Sequence, residues 1–133
     1  MEACCRVNDQ LPRFRMDKDF PPMSYSQLMS STRGTCDNMT DLAVFVMRGL
    51  GIPVSRDFTP IWPGWPIGHT WNSVRDSSGD RISFMGTETN PGDPHQGNTL
   101  RKCKVYRYTY AIQSNIVADK DQLPPLIVVG HTE

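Results

Sequence analysis

Long apolar runs are missing from this sequence, and so is any excess of charge of one sign. Its uninterrupted apolar stretches are only a few residues long, too short for a helix that crosses a membrane. Fourteen basic residues balance fourteen acidic ones without a run of like charge, so no positive field favours nucleic acid or an anionic membrane. We therefore expect no nucleic-acid binding and no membrane insertion by this chain.

Metal-binding and phosphate-binding motifs are also missing. The cysteines show no C-x-x-C or histidine-spaced pattern, the three histidines are scattered, and no glycine-rich phosphate loop occurs. We expect no metal site and no cofactor. The even cysteine count permits disulfides without implying them, so the state of Cys4, Cys5 and Cys103 stays open.

The length of 133 residues suits one domain with a hydrophobic core. Residues 1–22 mix charges with three prolines and lack periodicity, so we expect an arm or the end of an upstream segment. Residues 23–112 form the expected core. Residues 113–133 are expected to continue into a longer protein, because the chain stops just after a strand-like apolar run.

The clearest element is a helix predicted from Cys36 to Leu50. Thr35 suits the N-cap, Gly51 suits the position after the last turn, and Pro53 prevents continuation. The apolar residues recur at the spacing of one buried helix face: Met39, Leu42, Ala43, Val46 and Leu50.

Strands are predicted after this helix. A shorter helix, with Tyr25, Leu28 and Met29 as its apolar stripe, is expected before it, over residues 24–33. The expected strands are 54–59, 69–75, 81–85 and 104–112, with loops at 60–68 and 87–98. A helix followed by antiparallel strands indicates the α+β class.

Cys36 and His69 are the candidate chemical residues. Cys36 lies in the first turn of the helix, where backbone N–H groups and the helix dipole favour a thiolate with a lowered pKa. His69 opens a predicted strand, from which an imidazole can take the thiol proton and return it to a leaving amine. The alternatives are a small buried cysteine and a structural histidine. His95 and His131 are weaker candidates.

Three ordered motifs resemble the transglutaminase-like superfamily. They are Gly-Thr-Cys at 34–36 opening a helix, Arg-Gly-Leu-Gly-Ile-Pro at 48–53, and His-Thr-Trp-Asn at 69–72. The arrangement is especially similar to that of transglutaminase-like domains of Bacteroidetes proteins, including Asp-Phe-Thr-Pro at 57–60 and the segment 84–91. The resemblance covers roughly residues 23–112.

The resemblance implies a papain-like α+β fold, in which the cysteine helix packs on a small antiparallel sheet. It implies Cys36 as the nucleophile and His69 as the general base. The family's third residue is an Asp on the next strand, which orients the imidazole. Here the sequence departs from the pattern, because Met85 stands near that position and residues 81–87 contain no acid. Glu88 and Asn72 are the nearest alternative orienting residues.

Four further residues are candidates for a substrate groove. Trp62 and Trp65 precede His69 in the proline-rich loop, where they either wall a groove or cap the core. Trp71 is expected to pack beside the site. Gln27, upstream of Cys36, matches loosely the glutamine of papain-like oxyanion holes, and an exposed helix glutamine is the plainer interpretation.

Two functions follow from the resemblance. The first is a cysteine-dependent peptidase, amidase or transglutaminase that acts on amide bonds of peptide or protein substrates. The second is a catalytically impaired binding or scaffold domain of a larger surface protein, which the missing acid favours. An extracytoplasmic or cell-surface location is implied by the resemblance alone. The sequence leaves the substrate and the oligomeric state undetermined.

Overall fold

The structure, a computed structural model, describes residues 1–62, 64, 66–94 and 104–109. It confirms the α+β class, since helices pack with a small antiparallel sheet. None of the helices in these residues is long and apolar enough to span a membrane. The elements are α1 (Glu2–Asn8), β1 (Arg15–Met16), α2 (Tyr25–Ser30), β2 (Arg33–Gly34), α3 (Cys36–Gly49), β3 (Ser55–Thr59), β4 (His69–Arg75), β5 (Arg81–Phe84) and β6 (Tyr106–Arg107).

The predicted central helix is confirmed as α3. Thr35 caps it reciprocally with Asn38: the Asn38 N–H donates to Thr35 Oγ1 over 3.3 Å, and the Thr35 N–H donates to Asn38 Oδ1 over 2.8 Å. At the other end Leu50 is the C-cap and Gly51 has a φ of 79°, which glycine adopts without steric cost. These local signals fix where the helix starts and stops.

The sheet has the strand order β5–β4–β3–β6, and all its pairs are antiparallel. Strand β4 matches its predicted range, β3 starts one residue later than predicted and β5 ends one residue earlier. Of the predicted strand 104–112, the structure shows β6, and residues 110–112 lie outside the described part. Along β4, Thr70 and Asn72 make hydrogen bonds to α3 and Val74 lies in the main core, whereas Trp71 belongs to a second buried cluster that includes Met39 of α3.

The main core lies between α3 and the sheet. Each apolar side chain buried there contributes roughly 1.5–3 kcal/mol relative to exposure. Its fully buried members come from α1, α2, α3, the connection to β3, and β5: Cys4, Leu28, Leu42, Ala43, Met47, Val54 and Phe84.

The first fourteen residues, expected to belong to an arm, contribute side chains to the same core. Cys4 in α1 is 1% exposed, and Leu11 just after it is also buried. Asn8, completely buried, accepts from the Thr87 N–H over 2.8 Å and donates to the Thr89 carbonyl over 3.0 Å. A polar residue on the buried side of such a short helix interrupts its apolar stripe, so the hydrophobic periodicity of the sequence did not predict α1.

Helix α2 is shorter than its predicted range of 24–33. It ends at Ser30, after which Arg33 and Gly34 pair with β1 in a two-residue parallel ladder. Of the predicted apolar stripe only Leu28 is buried, whereas Tyr25 and Met29 are 50% and 41% exposed.

Candidate functional site

Cys36 is the first residue of α3, and it lies against the first residues of β4. Its sulfur accepts a hydrogen bond from the backbone N–H of Thr70. The Thr70 hydroxyl donates to the Asp37 carboxylate over 2.7 Å, which joins the same two element ends a second time. His69 immediately precedes Thr70 in β4. The fold thus brings the N-terminus of α3 to the end of β4 that begins with His69.

Three aromatic rings form a triangular cluster beside this junction. The ring of Trp71 lies 5.9 Å from that of His69 and 6.0 Å from that of Trp62, and the Trp62 and His69 rings are 6.2 Å apart, measured between centroids. Both tryptophans are buried. Trp62 therefore closes an edge of the core and also forms part of the wall around His69. Trp65 lies outside the described residues.

A second, smaller apolar cluster adjoins Cys36. It joins Met39, Trp62, Trp71 and Met85, and the partly buried Cys36 packs against it. Met85 is 3% exposed. An apolar thioether thus lies in the neighbourhood where the resemblance led us to expect an acid.

The environment of Cys36 raises the pKa of its thiol above the ordinary value of 9.0, which corrects the expectation of a lowered pKa. Burial is the largest cause, and the nearby Asp37 carboxylate adds to it. Hydrogen bonds to the sulfur from the N–H groups of Thr70, Asp37 and Cys36 itself act in the opposite direction without prevailing. The helix N-terminus supplies donors as expected, but loss of solvation outweighs them.

Asp37 belongs to a charged network that the sequence did not reveal. The Arg56 guanidinium donates to Asp37 over 2.5 Å and to Asp41 over 2.7 Å, and it lies 4.9 Å from the centre of the Tyr108 ring. Burial raises the pKa of Asp41, and Arg56 opposes that rise. Burial lowers the pKa of Arg56, but Asp41 and Asp37 raise it more. The sequence contained one signal, an acid in the first helical turn.

The two alternative orienting residues have other contacts. Asn72 is completely buried; its amide donates to the carbonyls of Thr40 and Ser55 over 3.2 and 3.4 Å, and its oxygen accepts from the Gly86 N–H over 3.1 Å. Glu88 is exposed. These contacts give Asn72 a structural task that joins α3, β3 and the turn after β5.

Gln27 also has a local task. Its side-chain oxygen accepts from the Ser24 N–H over 2.8 Å and from the Ser24 hydroxyl over 2.9 Å, which caps α2. The residue is exposed, as the plainer interpretation predicted. The side-chain hydrogen bonds of Gln27 in the described residues all go to Ser24 and none to Cys36.

Comparison with protein-family models, curated proteins and solved structures found no match to this chain. Within the part of the chain that the structure describes, no group of three or more His, Cys, Asp or Glu side chains lies together as metal ligands do. The chemistry of the site is therefore inferred from its own residues.

Proposed function

We propose that the domain is a papain-like, transglutaminase-like enzyme that transfers acyl groups from amide bonds of peptides or proteins to water or an amine. The observation that carries the proposal is the position of Cys36: it opens α3, and its neighbour Asp37 accepts a hydrogen bond over 2.7 Å from Thr70, the residue after His69. A nucleophile, helix N–H donors and an imidazole from the neighbouring residue are the parts that acyl transfer needs.

The reaction begins when His69 takes the thiol proton of Cys36 and the sulfur attacks the amide carbonyl. The tetrahedral oxyanion is stabilised by N–H groups at the start of α3. The carbon–nitrogen bond then breaks, His69 returns the proton to the leaving amine, and a thioester remains on Cys36. Attack by water gives the acid, attack by another amine gives a new amide, and either step regenerates the thiol.

The raised pKa of Cys36 favours this general-base route over a preformed thiolate. A thiol whose pKa lies above 9.0 is protonated at neutral pH, so the proton must leave as the sulfur attacks. His69 is the proposed acceptor. The carboxylate of Asp37, shared with Arg56, discourages a negative sulfur at rest.

The alternative is a binding domain that keeps this fold and has lost turnover. It is favoured by Met85, which is buried among Met39, Trp62 and Trp71 near the expected position of an orienting acid. Loss of an orienting acid lowers turnover by as much as about 10⁴-fold. Under this alternative, the aromatic cluster around His69 binds a peptide that the domain does not cleave.

The enzyme proposal is tested with fluorogenic peptide amides and with incorporation of a fluorescent amine into a glutamine-containing protein. We expect activity in the unmodified chain and its loss in Cys36→Ala and His69→Gln. Cys5→Ala is the matched control, because Cys5 is a free thiol remote in sequence from the site. Activity that survives Cys36→Ala would exclude Cys36 as the nucleophile.

The two functions are separated by Met85→Asp. Activity that appears only in Met85→Asp would show that the natural chain binds rather than cleaves. Met85→Asn is the control, since it introduces polarity at the same buried position without the charge. Both proteins are first checked for folding, because an unpaired buried charge is costly. Robust Cys36-dependent activity in the unmodified chain would refute the binding-only alternative.

A further inference from the structure

A cavity lined by arginines lies at the opposite end of β4 from His69. Its volume is about 540 Å³, within the range of small-molecule sites. It is bounded by the end of α3, the connection to β3, and the edges of β4, β5 and β6, and the residues that matter here are Arg48, Arg75, Arg81, Arg107, Ile52 and Tyr108. Because β4 rises about 3.3 Å per residue, its first and last residues are roughly 20 Å apart.

The charged side chains among the described residues that line this cavity are all positive. The described lining residues include four arginines and no acid. The buried Asp57 lies nearby and pairs with Arg107, accepting from its Nε over 2.7 Å and from its Nη2 over 2.5 Å, and it also accepts from Ser73. One carboxylate that is already fully engaged leaves an excess of positive charge in the cavity.

Two of the arginines keep hydrogen-bond donors for a ligand. Arg75 donates to the Gly79 carbonyl over 2.8 Å, and Arg81 makes a long contact of 3.5 Å to the Ser55 hydroxyl. A guanidinium carries five N–H donors in a planar fork, so most donors of both residues are left. That fork matches the oxygens of phosphate and sulfate groups.

Without a bound anion, the closeness of these arginines disfavours the folded state. Arg75 and Arg81 are directly opposite each other in the β4–β5 register, where like charges are destabilising. The pKa of Arg81 is lowered by desolvation and then by the positive charges of Arg107 and Arg75. A bound anion would relieve this repulsion.

We propose that this cavity binds the phosphate or sulfate group of a small organic molecule, with Arg75 and Arg81 holding the anionic group. Ile52 and the Tyr108 ring offer an apolar wall for the organic part. The site is separate from Cys36 and does not depend on the proposed acyl transfer.

The test is calorimetric titration of the full chain at constant ionic strength with phenyl phosphate, phenyl sulfate, inorganic phosphate and phenol. We expect saturable binding of one or both esters, and the ester that binds identifies the anionic group. Arg75→Gln and Arg81→Gln should each weaken binding at least about tenfold, because a hydrogen bond to a charged group contributes about 1.5–3 kcal/mol. The matched control is Arg6→Gln, which removes the same charge from an exposed pair in α1.

A second measurement separates ligand binding from folding. Without ligand, Arg81→Gln should melt at a slightly higher temperature than the unmodified chain, since repulsion from Arg75 is removed. With the ester that binds, the unmodified chain and Arg6→Gln should gain more stability than Arg81→Gln at the same ligand concentration. The proposal is overturned by lack of saturable ester binding up to about 10 mM, by phenol binding as tightly as the esters, or by equal losses in Arg6→Gln and Arg81→Gln.

Discussion

Replacing Asn72 by Ala tests whether this residue holds the fold together or orients His69. Its side chain is completely buried and contacts Thr40 in α3, Ser55 in β3 and Gly86 after β5. Loss of its oxygen leaves the Gly86 N–H without that partner, which costs about 1–3 kcal/mol for a buried donor. The two donated bonds add about 1 kcal/mol together, because the bond to Ser55 is long.

We therefore expect Asn72→Ala to lower the free energy of unfolding by about 3 kcal/mol. In a chain of this size that corresponds to a fall in melting temperature of about 10 °C. Urea unfolding followed by circular dichroism measures the free energy, with the m-value as a check on two-state behaviour. Asn72→Asp is the companion variant: it keeps an acceptor for Gly86 but turns a negative oxygen toward two carbonyls, so it should be at least as destabilised at neutral pH.

The activity of the folded protein provides the second readout. A purely structural Asn72 predicts that turnover per folded molecule stays near that of the unmodified chain, once temperature is low enough for both to be folded. If Asn72→Ala lowered the free energy of unfolding by less than about 1 kcal/mol, the three hydrogen bonds of Asn72 could not have the energies assigned to them here. A large fall in turnover without a fall in stability would instead support Asn72 as the residue that orients His69.

Further outcomes are expected for Cys36, His69 and two glycines. Because burial raises the pKa of the Cys36 thiol above 9.0, the rate of iodoacetamide labelling of Cys36 should still increase as pH rises beyond 9. The same shift contributes to the free energy of unfolding: the contribution is complete below the ordinary thiol pKa and is lost as pH rises through the raised pKa. At neutral pH, His69→Gln should slow that labelling at least about tenfold if His69 accepts the proton, and equal rates would count against the pair. Gly86→Ala should destabilise the protein by about 1–3 kcal/mol, since the new methyl would lie 2.4 Å from Ala43 Cβ. Gly49→Ala, with open space around it, should stabilise α3 by about 0.5–1 kcal/mol. Urea unfolding measures both changes in stability, and changes of the same sign would contradict the packing around Gly86.

Local rules predicted the elements that carry the proposed chemistry. Thr35 before the helix, and Gly51 with Pro53 after it, act within a few residues of the backbone that they fix, so α3 was readable from the sequence. The β4 range followed in the same way from the glycine-containing turn after it. These two elements bring Cys36 and the strand that starts with His69 to one junction.

Distant contacts could not be predicted in this way. Asn8 can be buried because its side chain is hydrogen-bonded to the backbone of Thr87 and Thr89, which lie about eighty residues later in the chain. No periodicity announces a polar residue that is buried for such a reason. The prediction of a lowered pKa for Cys36 was wrong for a related reason. The start of the helix is visible in the sequence, but the burial of Cys36 depends on side chains from other elements, among them Trp62 and Trp71.

The polarity of α3 links the two proposed sites. Its N-terminus adjoins Thr70 near the start of β4, and its last turn carries Arg48 into the cavity that Arg75 lines at the end of β4. The positive end of the helix dipole thus faces the place where an oxyanion would form, and no added cation is required there. The negative end faces the arginine-lined cavity, where the dipole repels anions. An anion can bind at that end only if the positive charge of the side chains outweighs the dipole, and Arg75 and Arg81, opposite each other in the β4–β5 register, are the residues proposed to supply it.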